Sequence, residues 1–121
     1  MAKCLVADDS KIIRMLLAKI FSNLGYEIIE AETGEEAVDM FNEGKPDVII
    51  MDLNLPLLEG LDVLYKIRSR EDIKQPKIIF CSSNNDASKI RETLSDGAND
   101  YIMKPFDEEI INSKLEILGL L

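Results

Sequence analysis

Eight residues near the middle of the chain, Pro46-Asp47-Val48-Ile49-Ile50-Met51-Asp52-Leu53, constrain the fold more than any other stretch. An unbroken apolar run, Val48 to Met51, leads straight into a carboxylate. A run so short and so uniformly apolar predicts a strand buried on both faces, as in a parallel sheet covered by helices. Burying a carboxylate is costly, which places Asp52 where the strand ends and water begins. In open α/β sheets the carboxyl end of a central strand is where ligands bind. Taken alone, Asp52 fits equally well as an acid that ends a strand or caps a helix.

The rest of the chain repeats this strand-then-helix pattern. Lys3 to Ala7 is a short apolar strand ending at Asp8-Asp9. Ser10 offers an N-cap, and Ile13, Leu16, Leu17, Ile20 and Leu24 follow at helical spacing up to Gly25. Tyr26 to Ala31 alternates polar and apolar and suits a shorter, more exposed strand. Thr33 and Glu36 form a capping box for a second helix with Ala37, Val38 and Phe41 inside and Gly44 at its end. After the Asp52 strand comes a loop punctuated by Pro56 and Gly60, then a third helix burying Leu61, Val63, Leu64 and Ile67. Lys77 to Cys81 is another buried strand, ending at Ser82-Ser83. Asn84 to Asp96 reads as a helix with a weak apolar face, Ala87, Ile90 and Leu94, stopped by Gly97. Asp100 to Met103 is the last strand, followed by Lys104-Pro105. Asp107 caps a final helix carrying Ile110, Ile111, Leu115 and Leu118.

Regular alternation of strand and helix implies one α/β domain over residues 1–121, a doubly wound parallel five-stranded sheet with right-handed crossovers. The order 2-1-3-4-5 puts the most apolar strands, the first, third and fourth, in the centre.

Charge and composition exclude several functions. The formal net charge is -9, which disfavours nucleic acid, since phosphate contacts need clustered Lys and Arg. No segment approaches the ~20 apolar residues of a membrane span. Met1-Ala2-Lys3-Cys4-Leu5-Val6-Ala7-Asp8 reaches acid too soon for a signal peptide, so a cytoplasmic location is expected. Cys4 and Cys81 fall at opposite ends of their strands, beyond disulfide reach, and read as buried reduced thiols. With no histidine, Ser-His-Asp and Cys-His catalysis and His-ligated zinc are excluded.

In a parallel sheet the carboxyl ends of the strands form one rim. There the pattern places Asp8, Asp9, Asp52, Ser82 and Lys104. Two carboxylates ~5 Å apart repel by roughly 3 kcal/mol at an effective dielectric of 20. Either one stays protonated or a cation neutralises the set. Oxygen-only ligands and the acidic balance favour Mg²⁺. Beside such an ion Asp52 can act as a nucleophile toward a phosphoryl group. Lys104 would spread charge on the transferring oxygens, and Ser82 would hydrogen-bond a third. Each has an ordinary alternative: Lys104 as a salt bridge, Ser82 as a helix N-cap. Their coincidence on one rim argues for a shared site.

These motifs together resemble the receiver domain of two-component response regulators over nearly the whole chain, Lys3 to about Leu118. In length the chain resembles a stand-alone CheY-like or Spo0F-like regulator with no attached effector domain. Val6-Ala7-Asp8-Asp9-Ser10 matches the acidic pair, and Ile49-Ile50-Met51-Asp52-Leu53 the phosphoacceptor strand. Leu55-Pro56 and Gly60 match the Met-Pro…Gly loop, with Leu in place of Met. Ser82-Ser83 matches the switch pair, Tyr101 the switch aromatic and Lys104-Pro105-Phe106 the Lys-Pro-Phe signature. Departures are Ser82 for the commoner Thr and Ser83 for Ala or Gly.

The resemblance implies a flavodoxin-like (βα)5 fold and a signalling phosphoacceptor rather than a turnover enzyme. It implies that Asp52 accepts phosphate from the phosphohistidine of a sensor kinase or histidine phosphotransfer protein. Asp9 and Asp52 would bind Mg²⁺ directly, Asp8 through water and Asn54 through its main-chain carbonyl. Lys104 would pair with the phosphoryl group or Asp52, across a cis Lys104-Pro105 bond. Asn54 and Asn84 occupy positions that tune phosphate lifetime. Ser82 and Tyr101 would form the switch, with Tyr101 moving from a solvent-facing to an inward rotamer. The output would be binding of another protein by a monomeric regulator. For the phosphodonor, Ile12, Arg14 and Met15 with Pro105 and Phe106 offer a mixed apolar and basic edge, unless Ile12 and Met15 are ordinary half-buried helix residues.

Three other readings use the same fold. A flavodoxin-like cofactor binder needs a Ser/Thr/Gly-rich phosphate loop where this chain has Asp8-Asp9-Ser10. An Asp-nucleophile phosphatase needs a second acid two residues on, where this chain has Asn54. A degenerate interaction module would lack residues that are all present here.

Overall fold

The computed structural model describes residues 2–121, so Met1 of the N-terminal stretch lies outside it. The chain runs β1 (Lys3–Ala7), α1 (Lys11–Asn23), β2 (Glu27–Ala31), α2 (Gly34–Gly44), β3 (Val48–Met51), α3 (Gly60–Arg68), β4 (Lys77–Ser82), α4 (Ala87–Ser95), β5 (Asp100–Met103) and α5 (Glu108–Ile117). All strand pairs are parallel, in the expected order β2-β1-β3-β4-β5.

The period of a strand explains why the central three are apolar throughout. Successive side chains point to opposite faces, and both faces are covered. Leu5, Ala7, Ile49, Met51, Ile78 and Phe80 enter one core with α2 and α3. Cys4, Val6, Val48, Ile50, Ile79 and Cys81 enter the other with α1 and α5. Each fully buried aliphatic side chain stabilises the sheet by roughly 1.5–3 kcal/mol. The edge strand β2 leaves Glu27 and Glu30 exposed, matching its alternating sequence. Both cysteines are buried and free.

Several helix faces differ from the expected ones. In α1 Leu16 is 40% exposed, while Phe21 is fully buried and meets Tyr26 edge-on at 5.6 Å between ring centroids. The buried residues of α1 are Arg14, Leu17, Ile20 and Phe21, with Ile13 and the C-cap Leu24 packed partly buried against the same core. In α5 Ile111 and Leu115 are buried but Ile110 faces solvent. Helix α4 begins at Ala87 rather than Asn84, because Asp86 caps it through the Ser88 and Lys89 N–H groups. Its expected apolar face is weaker still: Ala87 and Leu94 are exposed, Ile90 is half-buried, and only Thr93 is buried.

At α2 the Thr33 hydroxyl accepts the Glu36 N–H at 3.0 Å. The Glu36 carboxylate accepts from Glu32 N–H, one residue before the reciprocal partner of a capping box. Gly44 is the last helical residue, and the left-handed C-cap falls on Lys45 at φ 48°. A Cβ on Gly44 would lie 2.4 Å from Ile29 Cδ1, so glycine serves packing against β2 there.

Candidate functional site

The carboxyl ends of β1, β3, β4 and β5 deliver one cluster. Asp8 follows β1, Asp52 follows β3, Ser82 ends β4 and Lys104 follows β5. The Lys104 main-chain N–H donates to Ser82 O at 2.9 Å, fixing where its side chain departs. Lys104 Nζ then donates to Asp8 Oδ2 at 2.8 Å and to Asp52 Oδ2 at 3.1 Å. The other oxygens are held locally: Asp8 Oδ1 accepts the Ser10 N–H at 2.9 Å, and Asp52 Oδ1 the Asn54 N–H at 3.1 Å. Asp8 is 1% exposed and Asp52 9%, whereas Asp9 is open to solvent.

Oxygens of Asp8, Asp9 and Asp52 lie within 4.8 Å of one another. One ammonium faces three carboxylates, so negative charge is in excess. Burial by itself lowers the Lys104 pKa, but the hydrogen bond to Asp8 and the Asp52 carboxylate outweigh it and leave it raised. The lysine is therefore a fixed cation. The donor set is oxygen only, with an accessible acid at its mouth, which fits a hard divalent ion such as Mg²⁺.

Two further residues support this cluster. Arg14 is buried rather than lining a basic surface edge. Its guanidinium donates to the Asp8 main-chain oxygen at 2.8 Å, to Glu32 at 2.9 Å and to Glu30 at 3.3 Å, tying the acidic turn to β2. The exposed edge beside it is thus apolar, Ile12 at 77% and Met15 at 60%, with Pro105 exposed and Phe106 half-buried. Gly60 is the second support. A Cβ there would lie 2.5 Å from the Asp52 carbonyl oxygen and 2.8 Å from the Phe80 ring, so only glycine lets α3 start directly beneath Asp52. The intervening loop docks on α2 through Gly34 N–H to Pro56 O at 3.1 Å.

Ser82 is fully buried and accepts the Asn84 N–H at 3.2 Å, so it opens a turn rather than capping α4. The Asn84 carbonyl accepts the Tyr101 hydroxyl at 2.8 Å. Tyr101 is only 6% exposed, so the ring already lies inward instead of facing solvent as expected. Burial raises its hydroxyl pKa, with the Ser82 hydroxyl partly offsetting this. Asn54 and Ser83 are exposed and Asn84 is half-buried. The Lys104-Pro105 bond is cis, as expected.

The family model for the response regulator receiver domain matches residues 4–116. Chemotaxis protein CheY1 of Helicobacter pylori is 36% identical over 118 residues, covering 96% of this chain and 95% of that one. Among solved structures, chemotaxis response regulator CheY4 of Vibrio cholerae is similar with a TM-score of 0.89 and 30% identity, over 98% of each chain. The CheX-CheY-BeF3-Mg+2 complex of Borrelia burgdorferi contains a similar chain, with a TM-score of 0.89 and 25% identity over 99% of this chain and 90% of that one. No helix of the described residues is long and apolar enough to cross a membrane. With this fold, this acidic rim and these relatives, the chain belongs to the response regulator receiver domain family, the CheY-type phosphoacceptors of two-component signalling.

Proposed function

We propose that residues 1–121 form a single receiver domain that acts as a cytoplasmic monomer. A sensor histidine kinase or histidine phosphotransfer protein phosphorylates it on Asp52, and the phosphorylated form binds a downstream protein. The observation that carries this reading is Lys104 Nζ bridging Asp8 and Asp52, with Asp9 alongside at the open edge of the rim.

In the proposed reaction an Asp52 carboxylate oxygen attacks phosphorus in line. A P–O bond forms as the P–N bond of the phosphohistidine breaks, and that electron pair stays on the donor imidazole. Asp8, Asp9 and Asp52, with the Asn54 main-chain carbonyl, would hold Mg²⁺. When bound, the ion supplies charge neutralisation to the carboxylates and phosphoryl oxygens. Lys104 remains a cation throughout and shifts its hydrogen bonds toward the phosphoryl group. Ser82 rotates so that its hydroxyl hydrogen-bonds a phosphoryl oxygen, which carries Oγ away from the Asn84 N–H that it accepts in this structure. Asn84 then moves, and with it the acceptor of the Tyr101 hydroxyl. The Tyr101 switch thus runs through repositioning of an already inward ring, reshaping the face of α4, β5 and α5. Asn54 and Asn84, beside the acceptor, set access of water to the acyl phosphate.

The donor docks on the apolar edge of Ile12, Met15, Pro105 and Phe106. The Borrelia burgdorferi neighbour, a CheY in complex with CheX, BeF3 and Mg+2, supports binding of another protein by a chain of this fold. The test is labelling by acetyl phosphate. It should need Mg²⁺, stop with EDTA and be lost in Asp52→Asn. Labelling that persists in EDTA would overturn the metal role.

A further inference from the structure

We propose that a cleft at the opposite, amino-terminal end of the sheet binds a small amphipathic anion, with an apolar body and a carboxylate, phosphate or sulfonate head. The cleft lies between the α2–β3 and α3–β4 connections and has a volume of about 510 Å³. Sites for small molecules span roughly 300–1,000 Å³. It lies beyond the start of β3, about 13 Å of strand away from the acidic rim, and is independent of that site.

Its charge is opposite to that of the molecule. Lys45, Arg70, Lys74 and Lys77 line it against only Asp47 and Asp72, in a chain of formal net charge -9. The acids are already engaged. Arg70 holds both Asp72 oxygens, at 2.8 and 3.0 Å, and Asp47 Oδ2 accepts the Lys3 N–H at 2.9 Å. Among the described residues Lys45, Lys74 and Lys77 have no salt bridge. Three ammonium groups therefore face the cleft region without carboxylate partners. Besides the amides of Asn42 and Gln75, the rest of the lining is apolar: Phe41, Pro46 and Pro76 are buried, and Ile73 and Leu120 are half-buried.

Lys45 adds a second observation. Its backbone is left-handed, φ 48° and ψ 58°, directly before Pro46. Glycine takes that conformation without steric cost, whereas a side chain makes it strained. The chain thus keeps a lysine at the lip of the cleft where local geometry favours glycine.

The test is a titration of the ¹⁵N-labelled full chain with 1-naphthalenesulfonate, using uncharged 1-naphthalenemethanol as the matched control. The sulfonate should give saturable amide shifts confined to residues 41–47 and 70–77 and to the segment around Leu120, and the alcohol should bind about tenfold more weakly. Lys74→Glu/Lys77→Glu should lose about tenfold in affinity while the rest of the spectrum stays in place. Lys45→Gly should bind more weakly yet unfold at no lower urea concentration, which separates recognition from folding. A parallel sedimentation arm uses phosphatidylglycerol vesicles. Equal binding of sulfonate and alcohol, shifts scattered over the surface, or charge reversal without effect would overturn the proposal. So would vesicle binding without saturable binding of the soluble anion, which would make the cleft a membrane contact.

Discussion

Replacing Lys104 by methionine removes the one cation that two buried carboxylates share. The contacts are 2.8 Å to Asp8 and 3.1 Å to Asp52. At an effective dielectric of about 20 these distances correspond to roughly 6 and 5 kcal/mol of attraction before dehydration. Dehydration offsets much of that, since the three side chains are 17%, 2% and 12% exposed. Deleting one partner of a buried ion pair costs about 3–5 kcal/mol. The low end applies here, about 3 kcal/mol, because Ser10 and Asn54 N–H groups still serve the two acids and the rim opens to water at Asp9.

The assay is urea unfolding of native protein and Lys104→Met, in EDTA and in millimolar Mg²⁺. The loss should be full in EDTA and smaller in Mg²⁺, since the ion replaces charge that the lysine supplied. The pH dependence has a definite sign. The folded Lys104 pKa is raised above its ordinary 10.5. Its stabilisation is complete below 10.5 and is lost as pH rises through the higher folded value. Native protein should lose this increment on the alkaline side, and Lys104→Met should lack that step. An unchanged unfolding midpoint for Lys104→Met in EDTA would refute the reasoning, as would equal Mg²⁺ stabilisation of both proteins.

Gly60→Ala should cost about 1–3 kcal/mol, because the new methyl meets the Asp52 carbonyl and the Phe80 ring; it should also slow acetyl phosphate labelling, and normal stability with normal labelling would contradict this. Burial raises the pKa of both thiols, Cys81 to about 12, so iodoacetamide at mild alkaline pH should leave folded protein unmodified and alkylate it only after unfolding. Ser82→Ala should accept phosphate yet leave the Tyr101 ring signals unmoved by fluoroberyllate, whereas native protein should shift them. Shifts of equal size in both would remove Ser82 from the switch.

The sheet order and the rim were legible because they rest on short apolar runs and on the polar residues that end them. Asp8, Asp52, Ser82 and Lys104 each sit at or within a residue of a strand's end, and strand ends in a parallel sheet converge. Arg14 was not legible. Its burial depends on Glu30 and Glu32, which the pairing of β2 with β1 brings beside it and which no local pattern of α1 reveals. In α1 the apolar spacing names Leu16, which is 40% exposed, and misses Phe21, which is buried in the core beside Leu17 and Ile20 and against Tyr26. At α4 the Ser82–Asn84–Asp86 chain of side-chain-to-backbone bonds competes with helix, delaying its start to Ala87. The inward position of Tyr101 depends on an Asn84 carbonyl, which leaves no trace in side-chain chemistry.

The central claim is that Asp52 is the acceptor. An acyl phosphate is reduced by borohydride, which converts the phosphorylated aspartate to homoserine. Protein treated with acetyl phosphate and Mg²⁺, then with borohydride, should show homoserine at position 52 by peptide mass mapping. An unaltered Asp52 with a stable phosphate on Ser82 or Ser83 would contradict the account.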